Sequence, residues 1–230
     1  MSRKRISRAR KRDLEQPDEF LSLTTQLLAR LNQNRKRVIW VTAVLLLVVA
    51  AFGAVHYFGR KAEEKALTQL SAEMSTYTQI AQRTTPQEAL ESTREGFEKL
   101  LANYGDRLGG KLARLYWADL NFAAGQNEAA IAQFAHAQAD FKPGDFAFGA
   151  ALYGLGYAYA AAGQNDKALN CFKTLSEGPY PALRTDALFQ MTQLYASLGD
   201  EGQAQAIEKR IVDEDPGYLY ADLLRENTGK

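Results

Sequence analysis

The sequence predicts an all-α protein: one N-terminal transmembrane helix followed by an α-solenoid of helical hairpins. Three observations support this prediction. An uncharged apolar run covers residues 38–58, a glycine-containing octapeptide recurs beyond it, and apolar residues at helical spacing flank each copy. At 230 residues the chain has room for one ordinary domain and additional segments.

Charge is divided unevenly along the chain, although the whole sequence carries a net charge of only +1. Residues 1–37 contain eleven Lys and Arg against four Asp and Glu, whereas residues 59–230 contain seventeen against twenty-three. The two parts are therefore about +7 and −6, with an uncharged segment between them. This asymmetry indicates two compartments or two kinds of partner.

The basic tail, residues 1–37, precedes the apolar run. Residues 1–12 lack apolar periodicity and are predicted to be disordered. Apolar residues at three- and four-residue spacing predict an amphipathic helix over residues 18–32, which lies on the membrane, docks on a partner helix or simply continues into the span. Three basic residues abut the span and are expected to contact the membrane surface on the cytoplasmic side: Arg35, Lys36 and Arg37.

Residues 38–58 meet the requirements for a transmembrane helix. At about 1.5 Å per residue this uncharged run covers about 30 Å, the thickness of the hydrocarbon core of a bilayer. Trp40 and Tyr57 lie near its two ends, where amphipathic rings favour the membrane interface. We therefore predict an anchor with the N-terminus in the cytoplasm.

Two alternatives compete with the anchor. A buried core helix could be equally apolar, but this run is uncharged all round and has basic flanks. A signal peptide could be cleaved near residue 53, where Ala51-Phe52-Gly53 is a small-x-small site. The basic region before the run is long for a signal peptide, and the apolar run continues past the site, so the anchor is favoured over a secreted protein.

Beyond the span the sequence predicts a leading helix pair over residues 59–108, in which Thr84-Thr85-Pro86 separates two helices. An internal repeat follows. Its three copies are AAGQNEAA at 123–130, AAGQNDKA at 161–168 and SLGDEGQA at 197–204. Each copy has a glycine where a helix must end in a left-handed residue before a tight turn: Gly125, Gly163 and Gly199. A small residue follows five positions later, where two helices approach closely: Ala130, Ala168 and Ala204.

This pattern resembles the tetratricopeptide repeat over about residues 86–218. The first copy matches the family through Trp117, Ala118, Gly125, Ala130 and Phe134. The second copy matches through Leu152, Leu155, Gly156, Tyr159, Gly163, Ala168 and Phe172. The third copy matches through Leu188, Met191, Tyr195, Gly199 and Ala204. The resemblance implies three repeats over residues 109–218 and a C-terminal tail over residues 219–230. Glu208 replaces the family's aromatic residue in the last repeat, which predicts a solvent-exposed outer face there.

The resemblance also implies a concave, partner-binding groove lined by the first helix of each repeat. The family's groove positions correspond here to Leu115, Asp119, Phe122, Tyr153, Tyr157, Phe189 and Gln193. This set lacks the basic residues with which some relatives clamp a terminal carboxylate, so apolar or extended peptide segments are the expected ligands. The alternative is that several of the aromatic residues only pack between repeats.

Residue patterns of enzymes are missing from the sequence. One cysteine, Cys171, and two distant histidines, His56 and His136, cannot form a zinc site. Gly154-x-Gly156 lies within a helical repeat without a preceding strand, so it is not a dinucleotide-binding loop. We therefore expect no enzymatic activity, no cofactor, no metal, no small-molecule substrate and no nucleic-acid partner.

The layout further resembles a narrower group, the tetratricopeptide-like ancillary subunits of the bacterial SecYEG translocon. The stretch DEFLSLTTQLLARLNQNRKR at 18–37 resembles the amphipathic helix and basic juxtamembrane turn of that group. The resemblance implies a single-pass protein of the bacterial inner membrane with a periplasmic repeat domain. Its implied partners are translocon subunits, exported chains or periplasmic chaperones. A scaffold for cell-envelope assembly or division is the alternative.

Overall fold

A computed structural model describes Thr25, residues 33–221 and Leu224. These residues contain eight α-helices and no strand, which confirms the predicted all-α class. The helices are α1 Arg35–Ala81, α2 Pro86–Tyr104, α3 Leu108–Ala123, α4 Asn127–Asp140, α5 Phe146–Ala161, α6 Asn165–Glu177, α7 Pro181–Ser197 and α8 Glu201–Glu214. The predicted amphipathic helix at 18–32 lies outside the described residues, apart from Thr25. The chain divides into two compact units between Gly59 and Arg60.

The first unit contains the N-terminal part of α1. No residue of its most apolar eighteen-residue stretch is buried by protein, which argues against a core helix. Length and composition make α1 a candidate membrane span. Helix α1 continues without a break through Gly59, where the predicted span and the predicted leading pair meet. The reason is that only Gly59 weakens the junction, and a single glycine costs a helix about 1 kcal/mol.

The second unit begins with a helix pair formed by the C-terminal part of α1 and by α2. A capping box starts α2: the Glu88 amide donates to Thr85 Oγ1 and the Thr85 amide donates to Glu88 Oε2, both at 3.3 Å. Phe97 is fully buried and its ring stacks on that of Trp117 at 4.9 Å between centroids. The leading pair therefore shares its core with α3.

Three further pairs follow: α3 with α4, α5 with α6, and α7 with α8. Each helix contacts the next, and α3 also contacts α5, while α5 contacts α7. The first helices of the pairs therefore share one face of the second unit. Gly125, Gly163 and Gly199 have φ of +73°, +71° and +80°, so the predicted left-handed turn is confirmed in all three copies.

The second helices of the pairs supply large side chains to the core. Phe97 in α2, Phe134 in α4 and Phe172 in α6 are almost completely buried. In α8 the corresponding residue is Glu208, and the expectation that it faces solvent is wrong because only 8 % of it is exposed. The chain beyond α8 returns to this end of the unit, where Leu224 packs with Leu188 and Ile211.

Candidate peptide-binding groove

A cavity of about 340 Å³ opens on the face that α3, α5 and α7 share. The residues that line it are Leu115, Asp119, Phe122, Phe134, Ala150, Tyr153, Gly154, Tyr157 and Leu183. On α3 and α5 these residues recur at three- and four-residue spacing, which places them on one side of each helix. The cavity contains five of the seven groove residues expected from the sequence. We call this cavity and its rim the groove.

Two tyrosines on α5 form the central surface of the groove. The hydroxyls of Tyr153 and Tyr157 lie 3.1 Å apart, and the two rings meet edge to face at 4.9 Å between centroids. Both rings also contact the buried ring of Phe172 edge-on, at 5.8 and 5.7 Å. Burial, together with the hydrogen bond to Tyr157, raises the pKa of Tyr153 well above its usual range. The hydroxyl therefore stays neutral and can both donate and accept a hydrogen bond.

The floor of the groove depends on a glycine in α5. A Cβ atom added at Gly154 would lie 2.3 Å from the Phe134 ring, so no larger residue fits without displacing that ring. Leu115 on α3 and Leu183 on α7 complete the apolar lining. Neither Gly154 nor Phe134 was among the predicted groove residues, because their contact joins residues of two different repeats.

Asp119 is the charged residue that lines the cavity. In the part of the chain that the structure describes, its carboxylate has no hydrogen-bond or ion-pair partner. Surrounding protein removes part of its hydration and raises the pKa of Asp119 to about 6, although the residue keeps contact with solvent. At neutral pH the groove therefore presents an unpaired negative charge.

A second carboxylate lies next to the aromatic surface. The Tyr218 hydroxyl donates to Asp186 Oδ1 at 2.8 Å, and Asp186 lies close enough to Tyr153 to raise the pKa of that phenol further. Burial and this hydrogen bond raise the pKa of Tyr218 as well. Asp186 and Tyr218 were not among the predicted groove residues. The aromatic residues after Pro216 were the available signal in the sequence.

The two remaining predicted groove residues lie outside the cavity. Phe189 stacks on Tyr220 at 4.9 Å between ring centroids and also contacts Tyr218 at 6.0 Å. The chain's own C-terminal residues therefore cover part of Phe189. Gln193 is exposed on α7 and does not line the cavity.

Basic residues on the helices around the groove are engaged elsewhere. The Lys111 Nζ donates to the Asp140 carbonyl at 3.3 Å, and Arg114 pairs with the Asp140 carboxylate. Arg184 on α7 donates to the Gly178 carbonyl at 3.3 Å, and α5 contains no Lys or Arg. No cation lines the cavity among the described residues.

Metal-ligand clusters and reactive thiols are the other features that could give a site chemistry. Among residues 33–221 no cluster of three or more His, Cys, Asp or Glu could hold a metal ion. Cys171 is buried, and burial raises the pKa of its thiol to about 11, so the thiol is protonated and inert at neutral pH.

Comparisons with known proteins agree with this geometry. The model of the tetratricopeptide repeat-like domain family matches residues 31–206. A tetratricopeptide repeat protein from Parabacteroides merdae superposes with a TM-score of 0.53 at 16% identity, over 69% of this chain and 58% of that chain. Nearly identical tetratricopeptide-like repeats assigned to a kinesin light chain of Podosopora anserina superpose with a TM-score of 0.52 at 19% identity, over 68% of this chain and 78% of that chain.

These likenesses are too distant in sequence to show more than the fold. No curated protein matches the chain by sequence. The family match, however, covers most of the chain and ends at residue 206, within α8. This chain therefore belongs to the tetratricopeptide repeat-like domain family, whose domains mediate protein–protein interaction as scaffolds and are typically non-catalytic.

Proposed function

We propose that this protein is a non-enzymatic, membrane-anchored scaffold whose repeat domain binds extended segments of other proteins in the groove. The observation that supports this proposal is the cavity of about 340 Å³ lined by Leu115, Phe122, Tyr153, Tyr157 and Leu183. Ligand-binding cavities in proteins begin at about 300 Å³ and are mostly apolar with a few polar groups. A cavity of this size accepts one or two side chains of a peptide.

The chemistry of the groove is that of a protein-binding surface. Tyrosines dominate the energetics of many interfaces because they combine a large rigid ring with a hydroxyl. The hydroxyls of Tyr153 and Tyr157 are available to main-chain groups of a bound segment, whose apolar side chains would enter the cavity beside Leu115 and Leu183. An extended segment has unpaired main-chain groups to offer, unlike a helix.

The anchor is part of the same proposal. Residues 38–58 of α1 are uncharged, and α1 exposes its apolar side chains, including Leu46, Leu47 and Phe52 at 64 %, 70 % and 75 %. Exposed apolar surface of this extent requires a lipid or protein environment. The exposed basic residues Arg35, Lys36 and Arg37 would lie at the cytoplasmic surface of the membrane.

The location and the partners follow from the resemblance of the sequence to the ancillary subunits of the SecYEG translocon. On this basis the repeat domain lies in the periplasm of a bacterium, and its partners are translocon subunits, exported chains or periplasmic chaperones. An exported chain that has not yet folded would present extended segments to such a groove.

Site-specific photo-crosslinking in cells tests this function. A photoreactive phenylalanine at Tyr153 of the full chain should capture exported chains, translocon subunits or chaperones. The same group at His136, an exposed residue of α4 outside the cavity, is the matched control and should not capture them. Equal products from the two positions would contradict binding in the groove.

The identities of the captured proteins separate the alternatives. Recovery of cell-envelope assembly or division proteins alone would favour a scaffold for that machinery. A mature N-terminus near residue 54 would show that the protein is secreted after cleavage and has no anchor. Turnover of a substrate by the purified protein would contradict a non-enzymatic role.

A further inference from the structure

Asp119 and Asp186 give the groove a negative charge that no basic side chain neutralises in the described part of the chain. We propose that the groove selects extended segments that carry lysine or arginine, whose cationic groups bind Asp119 and Asp186. This inference rests on the proposed function and adds the chemical class of the bound segment.

Asp119 is the acidic residue that lies in the cavity itself. Its carboxylate lines the cavity beside Phe122 and Tyr157, whose rings lie 6.3 Å apart between centroids. A lysine or arginine that reaches Asp119 therefore places its aliphatic stem and its charge near two aromatic rings, which adds a cation–π attraction to the ion pair. A carboxylate that has lost part of its hydration is stabilised more strongly by a partner cation than a fully hydrated carboxylate is.

The cation must come from outside the groove. Lys111 and Arg114 on α3 are held at Asp140, and Arg184 on α7 is held at the Gly178 carbonyl. Because α5 carries no basic residue, none of the three helices that form the groove has a free cation to offer among its described residues. The charge complementarity thus points to a cationic partner.

Asp186 extends the acidic surface across α5. Helix α5 contacts both α3, which carries Asp119, and α7, which carries Asp186. Asp119 lines the cavity with the tyrosine pair, and Asp186 lies close enough to Tyr153 to raise the pKa of that phenol. The hydrogen bond from Tyr218 holds the Asp186 carboxylate in place without neutralising its charge. A segment bound beside the tyrosine pair therefore has two carboxylates within reach.

Other occupants fit this surface less well. A terminal carboxylate or an acidic segment would be repelled by Asp119 and Asp186. The chain's own basic tail, residues 1–37, is cationic, but in the proposed topology the membrane span separates it from the repeat domain. The occupant is therefore a segment of another protein that alternates apolar and basic residues.

Peptide binding to the full chain in a maltoside detergent tests the inference. Three fluorescent peptides of Gly, Ser, Val and Tyr are identical except at two central positions, which hold Lys, Gln or Glu. Fluorescence anisotropy at low salt should show the Lys peptide binding about tenfold more tightly than the Glu peptide, with the Gln peptide between them. Added salt should reduce this difference.

Variants of Asp119 assign the preference to the groove. Asp119→Asn should remove most of the preference for the Lys peptide over the Gln peptide. Asp119→Lys should reverse the order, so that the Glu peptide binds more tightly than the Lys peptide. Asp213→Asn, which removes an exposed carboxylate of α8 outside the cavity, is the matched control and should leave the order unchanged. Circular dichroism shows whether each variant is folded, and Asp119→Glu, which keeps the charge, should keep the preference.

The outcomes separate the inference from the proposed function. Equal affinity of the wild-type chain for all three peptides, or an unchanged preference in Asp119→Asn, overturns the selection for cations but leaves binding in the groove intact. Failure of every peptide to bind overturns the selection as well. Crosslinking at Tyr153 then decides separately whether the groove binds proteins at all.

Discussion

The hydroxyls of Tyr153 and Tyr157 lie 3.1 Å apart, one turn of α5 from each other, on the face that the first helices of the repeats share. Both rings rest edge-on against Phe172, the buried aromatic residue of the next helix. The groove surface is therefore built directly on the core of the second repeat. This arrangement fixes the positions of the two hydroxyls before a partner arrives, which limits the entropy lost on binding.

The tyrosine pair yields the first prediction. Tyr153→Phe removes the hydroxyl but keeps the ring, so it should lower the free energy of unfolding by no more than about 1 kcal/mol. Tyr153→Ala also removes the ring contacts with Tyr157 and Phe172 and should cost about 2 kcal/mol or more. Denaturant unfolding measures both values. Equal costs for the two variants would contradict the packing described for the ring.

The second prediction concerns Asp119 and the stability of the fold. Its pKa in the folded protein, about 6, exceeds its ordinary value of 3.8, so folding favours the neutral acid. The ionised carboxylate therefore destabilises the fold above pH 6, and this penalty disappears below pH 3.8, where the group is protonated in both states. Asp119→Asn should raise the free energy of unfolding at pH 7 by up to about 1 kcal/mol, because solvent screens an exposed carboxylate.

The pH dependence of the stabilisation by Asp119→Asn tests whether the ionised carboxylate is its cause. The stabilisation by Asp119→Asn should fade as the pH falls from 7 to about 3.5. Thermal melts across this range make the measurement. A stabilisation that is independent of pH would contradict the assignment. If Asp119→Asn is more stable than the wild-type chain but binds cationic peptides more weakly, the Asp119 carboxylate serves binding at a cost in stability.

The third prediction is the pH dependence of binding. The groups that face Asp119 in the groove are Tyr153 and Tyr157 on α5, with Asp186 beyond them on α7. Because protonation removes the charge of Asp119, affinity for the Lys peptide should fall by several-fold as the pH drops from 7 through about 6 to 5. Anisotropy titrations with Asp119→Asn supply the comparison. The variant should lose this part of the pH dependence, and retention of all of it would assign the titration to another group.

The fourth prediction concerns the start of α3. The Glu63 carboxylate accepts hydrogen bonds from the amides of Leu108 and Gly109 at 3.0 and 2.7 Å, where the helix has unpaired donors and a positive dipole. Glu63→Ala should therefore lower the free energy of unfolding by about 1 kcal/mol. Its exposed neighbour is the control, since Glu64→Ala removes no such bond and should change stability by less than about 0.5 kcal/mol.

The fifth prediction compares two helical glycines. In Gly154→Ala the new methyl group would lie 2.3 Å from the Phe134 ring, so overpacking should outweigh the gain in helix propensity and cost about 1–2 kcal/mol net. In Gly202→Ala the nearest atom would lie 3.8 Å away, and the same propensity should stabilise α8 by up to about 1 kcal/mol. Urea unfolding distinguishes the two. Stabilisation by both variants would show that the Phe134 contact is not tight.

The turns and helices of the repeats were predicted from the sequence, because the residues that determine them lie close together along the chain. The left-handed glycines at 125, 163 and 199 and the helices that flank them follow from turn chemistry and apolar spacing within about forty residues. Five of the predicted groove residues line the cavity on the shared face, because the spacing along α3 and α5 decides which side chains point the same way. Their role in binding stays a prediction.

Features that depend on distant residues were not predicted. Glu208 was expected to be exposed to solvent on the outer face of the last repeat, but it is buried. In the same repeat Leu224 packs on Leu188 and Ile211. Phe189 was expected in the groove, but Tyr220 stacks on its ring. The contact with Phe189 arises because the chain beyond α8 folds back onto α7 and α8.

The sequence by itself determined the all-α class, the candidate span and the repeat pattern, because each depends on local composition and on the helical period. Only the tertiary structure decided which charges of the groove remain unpaired. Lys111 and Arg114 lie close to Asp119 in sequence, yet both are drawn to Asp140, a residue of the next helix. Their partners depend on how α4 packs against α3, and no local pattern records that packing.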